Sequence, residues 1–184
     1  IQETQPFRPA SPYAVSKCTQ DLIAYQYGLN YGMDIIRTRA FTHSGARRGE
    51  VFAESSFAKQ IALGELTDEI IQIRVGNLES IRTWLDVRDM VKAYWLTVEK
   101  CKSGEAYNIG GHEIKTVRQI LDILSSFSYS NISYLCDPLL LRPSDVILQI
   151  PDVSKFKGIT GWEPSISIYQ MLMDLLNYHR NKLI

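Results

Sequence analysis

Hydrophobic positions along the chain switch between a period near 3.6 and short β-branched runs, which predicts alternating helices and strands. Val15, Leu22, Ile23 and Tyr27 recur at helical spacing behind Ser11-Pro12, a capping residue followed by proline at the first helical position. That predicts a helix over about 12–31, with Gly32 as its stop. Asp34-Ile35-Ile36-Arg37-Thr38-Arg39 is short, bounded and β-branched and reads as a strand, followed by a polar, glycine-containing loop over 41–50. Further on, Phe57, Ala58, Ile61 and Ala62 mark a helix, 70–75 a strand, and 86–100 an amphipathic helix with Val87, Met90, Val91, Tyr94 and Trp95 on its apolar face. A strand is expected at 105–109, then a helix capped by Thr116 that carries Val117, Ile120, Leu121 and Leu124. A strand at 132–135 and a short helix between Asp152 and Gly158 precede a last helix, opened by Ser167, with Met171, Leu172, Leu175 and Leu176 inward. No repeat, low-complexity tract or linker interrupts the pattern, so the chain reads as a single α/β unit.

Composition narrows the function classes. The 184 residues carry 20 Lys+Arg against 20 Asp+Glu, a formal net charge of +0. A balanced chain has no broad field with which to gather nucleic acid or an anionic membrane, so an anionic ligand must be held by a few placed side chains. No apolar run approaches the roughly 18 to 20 residues of a membrane span, and Ile1-Gln2-Glu3-Thr4-Gln5 has neither a basic nor an apolar leader segment. A cytoplasmic location is expected. Cys18, Cys101 and Cys136 are odd in number and lack CxxC spacing, which predicts neither a disulfide framework nor a metal site but buried thiols. Trp84, Trp95 and Trp162 are expected to pack rather than to stack on a ligand.

Tyr13 and Lys17 stand four residues apart on the first predicted helix and therefore share a face. A phenol is a weak acid-base group at neutral pH, but an adjacent ammonium favours the phenolate and eases proton exchange with a hydroxyl. The same ammonium can reach a ribose hydroxyl. On its own such a pair is ordinarily a solvated helix face.

The surrounding residues change that reading. The stretch Pro6-Phe7-Arg8-Pro9-Ala10-Ser11-Pro12-Tyr13-Ala14-Val15-Ser16-Lys17 resembles the active-site helix of extended short-chain dehydrogenase/reductases that act on nucleotide sugars. Six further blocks follow in order: 39–49, Val75-Gly76-Asn77-Leu78, 82–89, Tyr107-Asn108-Ile109-Gly110, Leu141-Arg142-Pro143-Ser144-Asp145 and Thr160-Gly161-Trp162-Glu163-Pro164. Together they are most similar to the GDP-mannose 4,6-dehydratase branch and its close relatives, the reductases of the 4-keto product.

The resemblance implies a fold and a site. The fold would be the C-terminal part of an extended short-chain dehydrogenase, an incomplete Rossmann-like parallel sheet reaching to about Gly49 plus a small α/β substrate-binding lobe, with the chain recrossing between them. Tyr13 would exchange the proton of the sugar 4-hydroxyl, and Lys17 would bind the nicotinamide ribose. His43 and Arg48 match positions that contact NADP, NAD remaining possible, and an arginine suits phosphate through its paired donors. Thr42, Arg82 and Arg142 match positions that hold the GDP-sugar, with Asp145 near the nucleoside ribose. Without the family frame, Arg47-Arg48 is a solvated loop pair, Arg82 an exposed strand residue and His43 a surface histidine. Arg88 and Asp89 read as structural, because Asp86 is a helix cap with an acidic first turn behind it.

Two residues depart from the pattern: Thr42 stands where most relatives carry Asn, and Ala46 replaces a proline before the arginines. None of the 11 glycines forms the glycine-rich turn that a dinucleotide pyrophosphate requires. The expectation is a C-terminal half of a longer enzyme, inactive alone, with the Ser/Thr and the Glu that dehydratases add to Tyr and Lys lying upstream of Ile1. The activities left open are a GDP-mannose 4,6-dehydratase, a reductase of the 4-keto product, another nucleotide-sugar epimerase, and a non-catalytic sugar-nucleotide binding module. Relatives form dimers or tetramers, so a homo-oligomer is expected, with Tyr25 or Leu29 of the first helix outward.

Overall fold

The first helix lies where its capping signals put it. In the computed structural model, which describes residues 1–67, 70–141 and 146–183, α1 spans Pro12–Tyr31. Ser11 is extended, its Oγ accepts from the Ala14 amide at 3.1 Å, and Gly32 ends the helix in the left-handed conformation at φ 65°. Strand β1 follows at Arg37–Ala40, three residues later than the β-branched run suggests. Its length is set by its neighbour, since it pairs in parallel with β5 (Ala106–Ile109) from Arg37↔Ala106 to Ala40↔Ile109.

The stretch expected to be all loop contains a two-residue strand, β2 (His43–Ser44). It pairs in parallel with the end of β4 (Ile81–Asp86), a strand that sequence periodicity does not reveal. Thr83, Trp84, Leu85 and Asp86 are all buried there, so no polar-out alternation is left to read. β4 also pairs antiparallel with β6 (Glu113–Thr116) and in parallel with β8 (Leu148–Gln149), two more short strands absent from the sequence pattern. A parallel pair of β3 (Ile71–Val75) and β7 (Ile132–Cys136) completes the strands among the described residues.

The turn after β5 explains one glycine. A Cβ on Gly111 would stand 1.8 Å from the Trp84 carbonyl oxygen, so only a residue without a side chain lets this turn lie against β4.

The helices split the core in two. One cluster joins α2 (Ala53–Gly64), β3, α4 (Val117–Ser125) and α6 (Ile168–Asn181) through Phe57, Ile61, Ile73, Leu121, Leu124, Leu172 and Leu175, with Trp84 from β4. The other gathers Leu85, Met90, Tyr107, Ile109, Phe156 and Trp162 from β4, α3 (Val87–Lys100), β5, α5 (Ser154–Thr160) and the turn behind it. Trp84 and Leu85 are consecutive on β4 and point to opposite faces, so this strand is the seam between the clusters.

Four sequence expectations are corrected. On α3 the inward residues are Asp89, Met90, Ala93 and Thr97, while Val91 and Trp95 are exposed, Trp95 by 69%. The helix is rotated because the buried Asp89 carboxylate accepts from the Ser165 and Ile166 amides, both at 2.8 Å. Trp84 and Trp162 pack as expected, and Trp95 instead donates to Glu99 at 2.7 Å on the surface. None of the three cysteines is buried: Cys18 and Cys101 are half-buried and Cys136 is exposed. Finally, Gly158 lies inside α5, and Gly161, at φ 69°, ends it.

Asp86 and Arg88 are structural, as read from the cap. Asp86 Oδ1 accepts from the Arg88 amide at 2.8 Å, and the Arg88 guanidinium bridges Asp86 and Asp174, tying α3 to α6. Among the described residues no helix is long and apolar enough to cross a membrane, and no group of three acidic, His or Cys side chains is placed to hold a metal ion.

Candidate active site

Tyr13 and Lys17 lie on one face of the first turns of α1, as their spacing demands. The Lys17 ammonium sits 5.5 Å from the centre of the Tyr13 ring and donates to Gln20 Oε1 at 3.3 Å. Both side chains stand at the mouth of a cleft of about 940 Å³, between α1, the C-terminal end of β1, the segment beyond it, and β4. Thr42, His43, Arg48 and Arg82 line the same cleft, so six of the residues singled out in the sequence come together. Arg142 and Asp145 lie outside the described residues.

Each wall residue is held by identifiable contacts. His43 is set by the β2–β4 pairing, and its Nδ1 is 2.8 Å from the Phe41 carbonyl oxygen. A carbonyl can only accept, so Nδ1 carries a proton, and in the neutral ring Nε2 is left as the acceptor. Arg48 leaves the loop between β2 and α2 with its guanidinium 3.4 Å from the centre of the Phe52 ring and its Nε 3.3 Å from Oε1 of the buried Glu54. Arg82, on β4, donates to the Ile81 and Ile147 carbonyls at 2.9 and 3.3 Å.

What holds α1 to this cleft is a residue that sequence reasoning missed. Asp21 stands one turn beyond Lys17 and receives Arg37 Nη1 at 2.7 Å and Arg39 Nε at 2.8 Å. Burial alone would raise its pKa, but the hydrogen bonds from Arg39 and Arg37, with their charges, outweigh it and hold the carboxyl below its ordinary value. Two signals were available: Tyr13, Lys17 and Asp21 are spaced i, i+4, i+8, and Arg37 and Arg39 alternate to one face of a strand. Among the described residues the cleft is lined by five cations (Lys17, Arg37, Arg39, Arg48, Arg82) and two carboxylates (Asp21, Glu54). A chain with no net charge thus concentrates positive charge where an anion can enter.

Comparison with known proteins gives the family. A family model described as GDP-mannose 4,6 dehydratase matches residues 1–175. The chain belongs to this family. It is 27% identical over 169 residues to the GDP-6-deoxy-D-mannose reductase of Pseudomonas aeruginosa, covering 92% of this chain and 56% of that protein. It is 32% identical over 175 residues to GDP-mannose 4,6 dehydratase 2 of Arabidopsis thaliana, covering 92% of this chain and 46% of that one.

Among solved structures, RMD from Pseudomonas aeruginosa complexed with NADPH superposes with a TM-score of 0.91 at 26% identity, over 99% of this chain and 60% of that one. UDP-glucuronic acid 4-epimerase from Bacillus cereus in complex with NAD gives 0.78 at 25% identity, over 100% of this chain and 57% of that one. The chain therefore spans about half the length of the family members it matches. The fold is mixed α/β with parallel strand pairs, and it matches part of the Rossmann-like region of these enzymes.

Proposed function

We propose that the protein acts as an NADP-dependent GDP-mannose 4,6-dehydratase, with Tyr13 as its acid-base residue. The observation that carries this reading is the convergence of Tyr13, Lys17, Thr42, His43, Arg48 and Arg82 on one basic cleft in a chain of this family. The donor set fits one end of a nicotinamide dinucleotide: an ammonium beside a phenol for the ribose and reacting hydroxyl, and an arginine with a histidine for phosphate. Such a cofactor, NADP or NAD, would supply reversible hydride transfer at the sugar.

The chain's own residues would supply proton exchange at the 4-hydroxyl and hold both ligands, while the proton at C5 falls to the Glu expected upstream of Ile1. Tyr13 Oη takes the proton of the sugar 4-hydroxyl and returns a proton later, and the Lys17 ammonium favours the phenolate during that exchange. Thr42 and Arg82, both on the wall of the cleft, orient the GDP-sugar. His43 and Arg48 hold the cofactor. In the net reaction GDP-mannose loses one water across C5 and C6, and no external reductant is consumed.

A second reading has its own support. The Pseudomonas aeruginosa relative, which matches 92% of this chain, is a GDP-6-deoxy-D-mannose reductase. The test is mass analysis of nucleotide sugars after the full-length gene product meets GDP-mannose and NADP⁺ without reductant. A product lighter by one water is expected. Unchanged GDP-mannose, together with NADPH-dependent reduction of the 4-keto sugar, would replace the dehydratase reading with the reductase one.

A further inference from the structure

Arg48 is useful to a bound dinucleotide only if its guanidinium is kept in the cleft, and the structure shows a device that anchors its backbone from the far end of the chain. His179, on α6 and 3% exposed, has its Nε2 3.0 Å from Ser55 Oγ. Ser55, in the first turn of α2 and fully buried, donates to the Arg48 carbonyl at 2.7 Å. A hydroxyl has one proton and a carbonyl can only accept. Ser55 therefore gives its proton to Arg48 and takes its second bond from His179 Nε2–H, which fixes the imidazole proton on that nitrogen.

The rest of the loop is equally constrained. The Arg48 amide donates to the Gly45 carbonyl at 3.1 Å. Arg47, just before it, is the one non-glycine residue with positive φ, 71°, among the described residues. A conformation of that kind persists only where its surroundings over-determine it. The side chain of Arg48 then lies on Phe52 and beside Glu54, which belong to the same end of α2 as Ser55.

We infer that His179 and Ser55 form a positioning pair that acts through the Arg48 carbonyl to hold the Arg48 guanidinium in place for a phosphate of the dinucleotide. The inference rests on Arg48 being a cofactor contact. His179 itself touches neither cofactor nor substrate. It ties the C-terminal helix, whose own core is apolar, to the loop that carries the phosphate-binding arginine. A buried relay of this type loses its effect when either member is removed, because the remaining polar group is left without a partner.

The experiment is a thermodynamic cycle read by NADPH fluorescence titration of the full-length gene product. Arg48→Ala should raise the NADPH dissociation constant about 10-fold, and His179→Phe about 3- to 10-fold with kcat little changed. His179→Gln, whose amide can present an N–H in place of Nε2, should bind within about 2-fold of the parent. In the double variant His179→Phe should add nothing to the loss already caused by Arg48→Ala, because its effect runs through that residue. If His179→Phe does not fold, Ser55→Ala takes its place in the cycle. Additive losses, or parental affinity in the relay variant while Arg48→Ala is weakened, would overturn the inference alone. Parental affinity in Arg48→Ala would overturn the reading of Arg48 itself, and the inference with it.

Discussion

Helix α1, twenty residues long, buries none of its side chains, whereas the fourteen-residue α6 buries Ile168, Met171, Leu172, Leu175, Leu176 and His179. Within this chain, which spans about half the length of its relatives, the two are held by different forces. α6 is pinned by apolar area, which is strong and non-directional and tolerates small rotations. α1 is pinned by a carboxylate between two guanidiniums, Asp21 with Arg37 and Arg39, aided by Arg37 over the Tyr25 ring at 4.9 Å. Charge-assisted hydrogen bonds are directional. They set the rotation of α1 about its axis, and with it the direction in which Tyr13 and Lys17 face. The helix assigned the chemistry is thus aimed by polar contacts, while the helix assigned support is fixed by burial.

Substitutions in the full-length gene product can separate the two. The largest stability effect is expected from Leu175→Ala, at a fully buried site, which should cost about 2–5 kcal/mol in denaturant melts. Turnover per folded molecule should stay within about twofold, since nothing in the cleft is moved. Asp21→Asn should do the reverse, lowering stability by on the order of 2 kcal/mol but turnover by about 10-fold or more, because α1 is no longer aimed. A purely structural Asp21 would show the stability loss with parental turnover.

The pH dependence sharpens the same contrast. Asp21 is held below its ordinary pKa of 3.8, so its contribution is fully present above that value and is lost as pH falls through the lower folded one. The stability gap between the parent and Asp21→Asn should be full at neutral pH and close below pH 3.8. His179 behaves as a buried neutral base. Burial pushes its pKa below 6.5, Glu50 pulls the other way, and Lys182 and Lys59 add to the lowering. Its contribution is complete above pH 6.5 and declines as pH falls from there toward the lower folded value. His179→Gln should flatten the stability profile in that window, the smallest effect of the set, and an unchanged slope there would place the buried base elsewhere.

How much of this was legible from residues alone follows the range of the contacts. Both ends of α1, the Thr116 cap of α4 and the inward face of α6 are local devices, and they read correctly. Strand β4 was hidden because burial on both faces removed its alternation, and β2, β6 and β8 because they exist only as partners of β4. The face of α3 was misread because Asp89 is anchored by residues 76 and 77 positions away. In the site, the Tyr13 and Lys17 pair was visible from spacing, but Thr42, His43, Arg48 and Arg82 carry no local signal and were found only through resemblance. Asp21 shares the helix face of Tyr13 and Lys17, but its partners stand 16 and 18 residues away, so its spacing alone does not name them; Ser55 meets His179 across 124 residues and leaves no periodic trace.

The most direct test of the account is Tyr13→Phe, with turnover, NADPH affinity and melting temperature measured on the same preparation. Tyr13 is 71% exposed; it lies on the side of the cleft assigned to the cofactor, and its hydroxyl is assigned to proton exchange. The account predicts turnover lower by about 10²–10⁴-fold, with affinity and melting temperature close to the parent's. Retained turnover in a folded, cofactor-binding variant would contradict it and remove α1 from the chemistry.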